Sequence, residues 1–186
     1  METVLPCTGR GRVGGVAKRS TMVRPIDPRE FRRVLGHFAT GVTIVTTRLG
    51  ADLHGITVNS FTSVSLHPPL VLICIDKSAR AHDYLSKSGA FAVNILRGDQ
   101  EHLSRFFADP GRPEGKEGFR GIPFREAVTG SPILEGCLAF LDCRIVASYP
   151  GGDHTIFLGQ VEDLGILQGG DPLVFYQSQY RSLGPL

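Results

Sequence analysis

HGITVNSFTSVSLHPPLVLICIDKSAR, residues 54–80, is the stretch on which the reading of this chain turns. Gly55, Ile56, Thr57 and Val58 alternate with the period of a half-buried strand. Asn59, Ser60, Thr62, Ser63 and Ser65 follow as a run rich in hydroxyl and amide groups. Pro68 and Pro69 interrupt pairing, and residues 70–75 form a continuous apolar run of the length of a buried strand. Asp76, Lys77, Ser78 and Arg80 close the stretch. A hydroxyl-rich loop between two core strands, with two cations beside it, suits a ligand with a polar ring edge, a polyol and a phosphate. The same residues also read as a Ser/Thr-rich turn with a solvated edge, and both readings stay open at this point.

Working outward, 186 residues suffice for one domain with a sizeable core, and 41% hydrophobic with 20% charged residues is ordinary for a globular chain. Charge is uneven: residues 1–24 carry a net +4, whereas the remainder carries −2. The folded part therefore lacks the basic balance of a nucleic-acid surface. No apolar run approaches the roughly 20 residues of a membrane helix. Cys7, Cys74, Cys137 and Cys143 show no C-x-x-C spacing, and the last three sit in apolar runs, as buried reduced thiols do. These features point to a reducing cytoplasm.

Residues 1–24 read as a disordered basic tail, with the domain in 25–186. Gly9, Gly11 and Gly14 spell G-x-G-x-x-G, but no strand precedes them and no apolar period follows, so the dinucleotide reading is rejected. Met22 suggests that the tail is a start-site artefact. Asp27, Pro28 and Glu30 start a helix, and Phe31, Val34, Leu35 and Phe38 give it an apolar face expected to pack on the core, ending near Gly41. Residues 42–47 read as a strand that pairs across a turn at 50–52 with the stretch above. Residues 81–88 form a short helix stopped by Gly89, and 91–96 a strand. Asp99 caps a helix that packs Leu103, Phe106 and Phe107 inward. Residues 109–121 are a long polar loop, of a length typical of lids or mobile segments. Residues 137–148 form a long strand with Leu138, Phe140, Asp142 or Cys143, and Ile145 inward and a bulge allowed. It turns at 149–154 and pairs with 155–167; residues 169–171 turn into a last strand at 173–176. Many strands and three short helices predict an antiparallel barrel or sandwich.

No nucleophile elbow, phosphate loop or metal-ligand spacing occurs. Six histidines are scattered singly, and only His154, after Gly151, Gly152 and Asp153 at a hairpin tip, is placed to be exposed.

Taken together, FRRVLGHFATGVTIVTT, GITVNSFTSVSLHPPLVLICIDKSAR, FAVNIL, SPILEGCLAFLDCRI, GGDHTIFLGQVEDL and PLVFYQSQY resemble the short-chain flavin reductases, the reductase components of two-component flavin-dependent monooxygenases. The resemblance spans residues 26–180. It implies a mainly β fold, a split, Greek-key β-barrel with a few short flanking helices. It also implies a homodimer with flavin near the subunit interface, and a separate monooxygenase that receives reduced flavin. By the same resemblance Leu53, His54, Gly55, Ile56, Thr57, Asn59 and Ser60 contact the flavin ring and ribityl chain, partly through backbone. Cys74, Ile75 and Asp76 lie along the isoalloxazine; Lys77, Arg80 and Ala81 lie near the phosphate or adenylate. His154 and Tyr180 meet the nicotinamide, although Gln177, Ser178 and Gln179 replace part of the motif before Tyr180. FMN or FAD is the implied cofactor, and NADH, with NADPH possible, the co-substrate. Hydride then passes between cofactors and no side chain need be catalytic. Two alternatives share these residues: a tightly held flavin acting on a substrate of its own, or a flavin-binding module without turnover.

Overall fold

The computed structural model describes residues 24–183, so the expected tail (Arg24 apart), with its glycine motif, Met22 and Cys7, lies outside the described residues. Helix α1 (Pro28–Leu35) starts where the sequence predicts, with the Asp27 carboxylate accepting from Arg29 N at 2.7 Å. It stops at Gly36 rather than near Gly41. Twelve strands follow: β1 (Thr40–Gly41), β2 (Thr43–Leu49), β3 (Asp52–Val58), β4 (Phe61–Leu66), β5 (Pro69–Asp76), β6 (Ala90–Ile95), β7 (Phe124–Glu126), β8 (Pro132–Leu134), β9 (Ala139–Gly151), β10 (His154–Ile166), β11 (Val174–Tyr176) and β12 (Gln179–Arg181). Helices α2 (Arg80–Ser88) and α3 (Glu101–Ala108) and two 3-10 turns (Gly98–Gln100, Gly115–Phe119) complete the chain.

Seven strands pair antiparallel in the order β3-β2-β6-β9-β10-β5-β4. The two edge strands, β3 and β4, are consecutive in sequence and joined only through Asn59 and Ser60, so the sheet curls into a barrel split at that seam. Val45, Val71, Ile73, Phe91, Val93, Cys143 and Phe157 fill the interior. Helix α2 closes one end by inserting Ala81 and Leu85, and Gly89, with φ of 69°, ends it in the left-handed conformation that glycine adopts freely. A second core lies outside the barrel, where Ile44, Leu53, Leu96, Phe107, Phe119 and Leu134 pack together. The buried Asn94 amide ties the two layers, donating to Ile44 O at 3.1 Å and accepting from Leu134 N at 2.7 Å. Among the described residues, no helix is long and apolar enough to cross a membrane.

Several expectations change. The hydroxyl-rich run is not a loop: 61–66 is edge strand β4, pairing with β5, with a register shift between Ser63 and Ser65. Strand β5 is not buried throughout but alternates, with Val71, Ile73 and Ile75 inside and Leu70, Leu72 and Cys74 only partly covered, because one sheet face lacks a helix. On β9, Phe140 is packed with Ala92 and Ile133 while Cys143 and Ile145 belong to the barrel interior, so the expected inward set divides between two cores. Leu138 precedes the strand. Asp99 does not cap α3; its carboxylate holds Arg97, with Nε at 2.6 Å. Residues 109–121 are not simply a surface loop, since they contain a 3-10 turn that buries Phe119. The hairpin β7–β8 and the strand β12 escaped the pattern. The largest reversal is α1: Phe31, Val34, Leu35 and Phe38 are 52 to 77% exposed, and no residue of the helix is buried.

Gly159 of β10 lies close against the barrel interior, since a Cβ there would lie 2.6 Å from Phe91 Cζ and 3.0 Å from Cys143 Cβ. Gly159→Ala is expected to cost about 1–3 kcal/mol in urea unfolding. Phe91→Leu in the same background should recover part of that loss.

Candidate functional site

Strand β3 presents opposite faces to two environments. Its odd residues face outward: Leu53 is packed with Phe107 and Phe119, and a Cβ on Gly55 would lie 2.5 Å from Phe107 Cε1. Its even residues turn the other way, with Ile56 against the interior cluster and His54 stacked on Tyr84 of α2 at 4.8 Å. Strand β2 occupies one edge of β3 and no strand occupies the other. The Gly55 carbonyl reaches that free edge, where it accepts from the Arg112 guanidinium. By strand alternation the backbone groups of Leu53 and Thr57 point the same way.

Around the end of the barrel the candidate residues form a band. Ser60 Oγ donates to Cys74 O at 2.8 Å, and Cys74 N donates to Ser60 O at 3.2 Å, locking the β3–β4 link against β5. At the end of β5, Asp76 is paired in register with His154, the first residue of β10. Hydrogen bonds from the Ser78 hydroxyl and N–H, both 2.7 Å, hold the Asp76 carboxyl below its usual range, with His154 adding a smaller effect. His154 is bonded through Nδ1 to Asp153 at 2.8 Å and its side chain is 42% exposed, so the glycine-turn tip does present the imidazole. Lys77 is committed elsewhere: Nζ donates to Gly152 O at 2.5 Å and its N–H donates to Asp153 O, so Lys77 braces the hairpin that carries His154.

Arg80 lies beyond, on a cavity of about 360 Å³ lined by His54, Ile56, Ser78, Arg112 and Glu114 among others. Burial, then the charges of Arg112 and Arg80, push His54 down to about 4, so this imidazole is neutral at pH 7. Leu53, Ile75 and Ala81 have buried side chains and can meet a ligand only through backbone. Asn59 and Thr57 line a small cleft with Ser104 and Tyr180. There the Tyr180 hydroxyl meets Ser104 Oγ at 2.8 Å and Thr57 Oγ1 donates to Ser104 O at 2.6 Å. The structure thus gathers Ser60, Cys74, Asp76 and His154 along β5 and its neighbours and His54, Ile56 and Arg80 in one cavity, while Asn59 lines the cleft of Tyr180. Tyr180 is not beside His154 but in a separate cleft. Cys137 and Cys143 are pushed up to about 11 and about 12 by burial, so both thiols stay protonated; Cys74 is only partly buried.

The family model of the flavin reductase like domain matches residues 35–184. The chain belongs to the flavin reductase-like family. Similar proteins include an NADH-dependent FAD reductase of Streptomyces globisporus, 42% identical over 171 residues, covering 91% of this chain and 93% of that one. An NADH-dependent flavin reductase of a Rhodococcus species is 44% identical over 164 residues, covering 85% and 88%. Among solved structures, the flavin reductase component of a bacterial two-component tryptophan halogenase superposes with a TM-score of 0.81 at 37% identity, covering 86% of this chain and 100% of that one. The Streptomyces globisporus NADH:FAD oxidoreductase in complex with NAD and FAD fragments gives 0.79 at 41% identity, covering 87% and 97%. The split-barrel fold expected from the sequence is the one these flavin reductases share.

Sequence reasoning missed Arg112, Glu114, Tyr84 and Ser104. The only signal for the first two was the length of the 109–121 segment.

Because the folded-state value of His54 is depressed from 6.5, its contribution to stability is complete above pH 6.5 and is lost as pH falls through about 4. Urea unfolding between pH 7.5 and 4 should show a loss on the order of 3 kcal/mol from this group, absent in His54→Phe.

Proposed function

We propose that this flavin reductase takes hydride from NADH to an exchangeable FMN or FAD and supplies the reduced flavin to a separate monooxygenase. The observation that carries the site assignment is the seam itself: an unpaired backbone edge on β3, flanked by the Asn59–Ser60–Cys74 surface and ending in the cavity of Arg80 and Arg112. That sequence of groups fits a ring with polar edges, a hydroxylated chain and a phosphate. Cys74, Asp76, Asn59 and Ser60 would border the ring, backbone of 53–57 the ribityl chain, and Arg80 with the N–H groups at the start of α2 the phosphate. When bound, the flavin supplies the electron-accepting chemistry and the nicotinamide the hydride. The protein's part is to hold two rings about 3 to 3.5 Å apart. His154, steadied by Asp153 and braced through Lys77, is placed to orient the nicotinamide. Tyr180 would act from the Thr57–Ser104 cleft rather than from the same surface.

We also assign this chain a homodimeric state. Two uncovered apolar surfaces support it: the face of α1, and the outer face of β5 and β10 where Leu70, Leu72, Cys74 and Leu158 are only partly covered. Sedimentation should give twice the 20.1 kDa chain mass, and Phe31→Asp with Val34→Asp should shift it toward the monomer.

NADH oxidation followed with FMN, FAD and riboflavin titrated in should saturate with flavin; folded, flavin-binding protein that fails to turn over would refute the reductase reading. His154→Ala is expected to raise the KM for NADH about tenfold or more, about 1.4 kcal/mol of lost binding, with flavin affinity unchanged. An unaltered KM and hydride-transfer rate would remove His154 from the nicotinamide site.

A further inference from the structure

In the cavity where the proposed flavin would place its phosphate, the protein already holds a carboxylate. Glu114 forms an ion pair with Arg80 across that cavity. The two guanidiniums there are held differently. Arg112 is partly buried and held on several sides, donating to Gly55 O and to Asp109 O at 3.1 Å, with His54 Nε2 at 3.4 Å, and burial with the nearby Arg80 charge lowers its pKa. Arg80 and Glu114 are more open to solvent, with side chains 60% and 52% exposed. Glu114 is the one acidic residue lining the cavity. Asp109 is turned into its own loop, accepting from Gly111 N at 2.8 Å, and Asp76 accepts from Ser78 N and Oγ, both at 2.7 Å. At the same place α2 begins with Arg80, and its N-cap residue Ala79 offers no side-chain acceptor to the first N–H groups. The cavity therefore gathers cationic and N–H donors, and a single internal carboxylate answers one of them.

We propose that Glu114 is an internal competitor for the flavin phosphate: it occupies Arg80 in the free protein and leaves it when FMN or FAD binds, so that loop 109–114 sets how readily the cofactor exchanges. This rests on reading the Arg80 cavity as the phosphate end of the flavin site. A phosphate brings more charge and more acceptor oxygens than a carboxylate and takes an Arg fork in the same geometry, so it displaces Glu114. An exposed ion pair is weak, so the competition lowers affinity by a modest factor and does not block binding. Displaced Glu114 returns to water at little cost, and on departure of the flavin it re-covers Arg80. For a reductase that must hand its product to another protein, such a stand-in shortens the flavin's residence without sacrificing specificity for a phosphorylated flavin.

The test compares Glu114→Gln and Glu114→Asp with the parent, measuring Kd and dissociation rate for FMN, FAD and riboflavin at low salt. Glu114→Gln should bind FMN and FAD about two- to fivefold more tightly and release them more slowly, with riboflavin unchanged. Glu114→Asp, which keeps the charge, should stay near the parent. Equal effects on riboflavin, or weaker FMN binding in Glu114→Gln, would overturn the proposal. So would unchanged FMN affinity in Glu114→Gln alongside an Arg80→Ala variant that has lost its preference for FMN over riboflavin. If instead Arg80→Ala keeps that preference, the phosphate assignment itself fails, whatever Glu114 does.

Discussion

Seven strands in one antiparallel sheet leave two edges, and here the edges belong to strands that follow one another in sequence. Backbone groups on an open edge must find partners or stay wet. On β3 one such carbonyl, Gly55 O, is answered by Arg112 reaching over from the loop after α3. The rest of the molecule is arranged about this seam. Helix α2 seals the barrel at its end, the 3-10 turn at Gly115–Phe119 packs Phe119 under β3, and Asn59 with Ser60 bridges from one edge to the other. An edge kept from pairing is a hazard in most β proteins; in this one it is the surface we propose for a flat, polar-edged cofactor.

Much of this was legible. Alternation and the glycine turn identified the β2–β3 hairpin, the Gly152 turn identified β9–β10, and Gly89 marked the end of α2. These signals are local, carried by side-chain period and by backbone conformations that glycine adopts without strain. The failures share a different cause. A row of apolar residues at helical spacing says that a face of α1 is buried by something, not that this chain supplies the cover. Hydroxyls in 61–66 mimic a turn because an edge strand, wet along one side, tolerates the same residues a loop does. At the start of β9, where Phe140, Asp142 and Cys143 are all buried, no alternation could tell which of Phe140 and Cys143 faced the barrel.

The candidate site divides along the same line. His154 was legible because its exposure follows from the hairpin tip that carries it. Arg112 and Glu114 were not, since their meeting with Arg80 depends on how a loop thirty residues downstream folds back over β3. Lys77, a cation beside the candidate phosphate site, donates to Gly152 O, a partner on the β9–β10 hairpin that sequence spacing did not reveal.

Helix α1 spans eight residues, buries none of them, and is tied just past its end to the β11–β12 turn, where Gln177 N donates to Gly36 O at 2.8 Å. A helix so short is marginal in water when nothing packs on it. In the proposed homodimer its helicity would be lent by the partner that covers its apolar face, and mass action would then govern secondary structure as well as assembly. Dilution should unravel this segment before the barrel loosens, making the far-ultraviolet dichroism of the protein depend on its concentration.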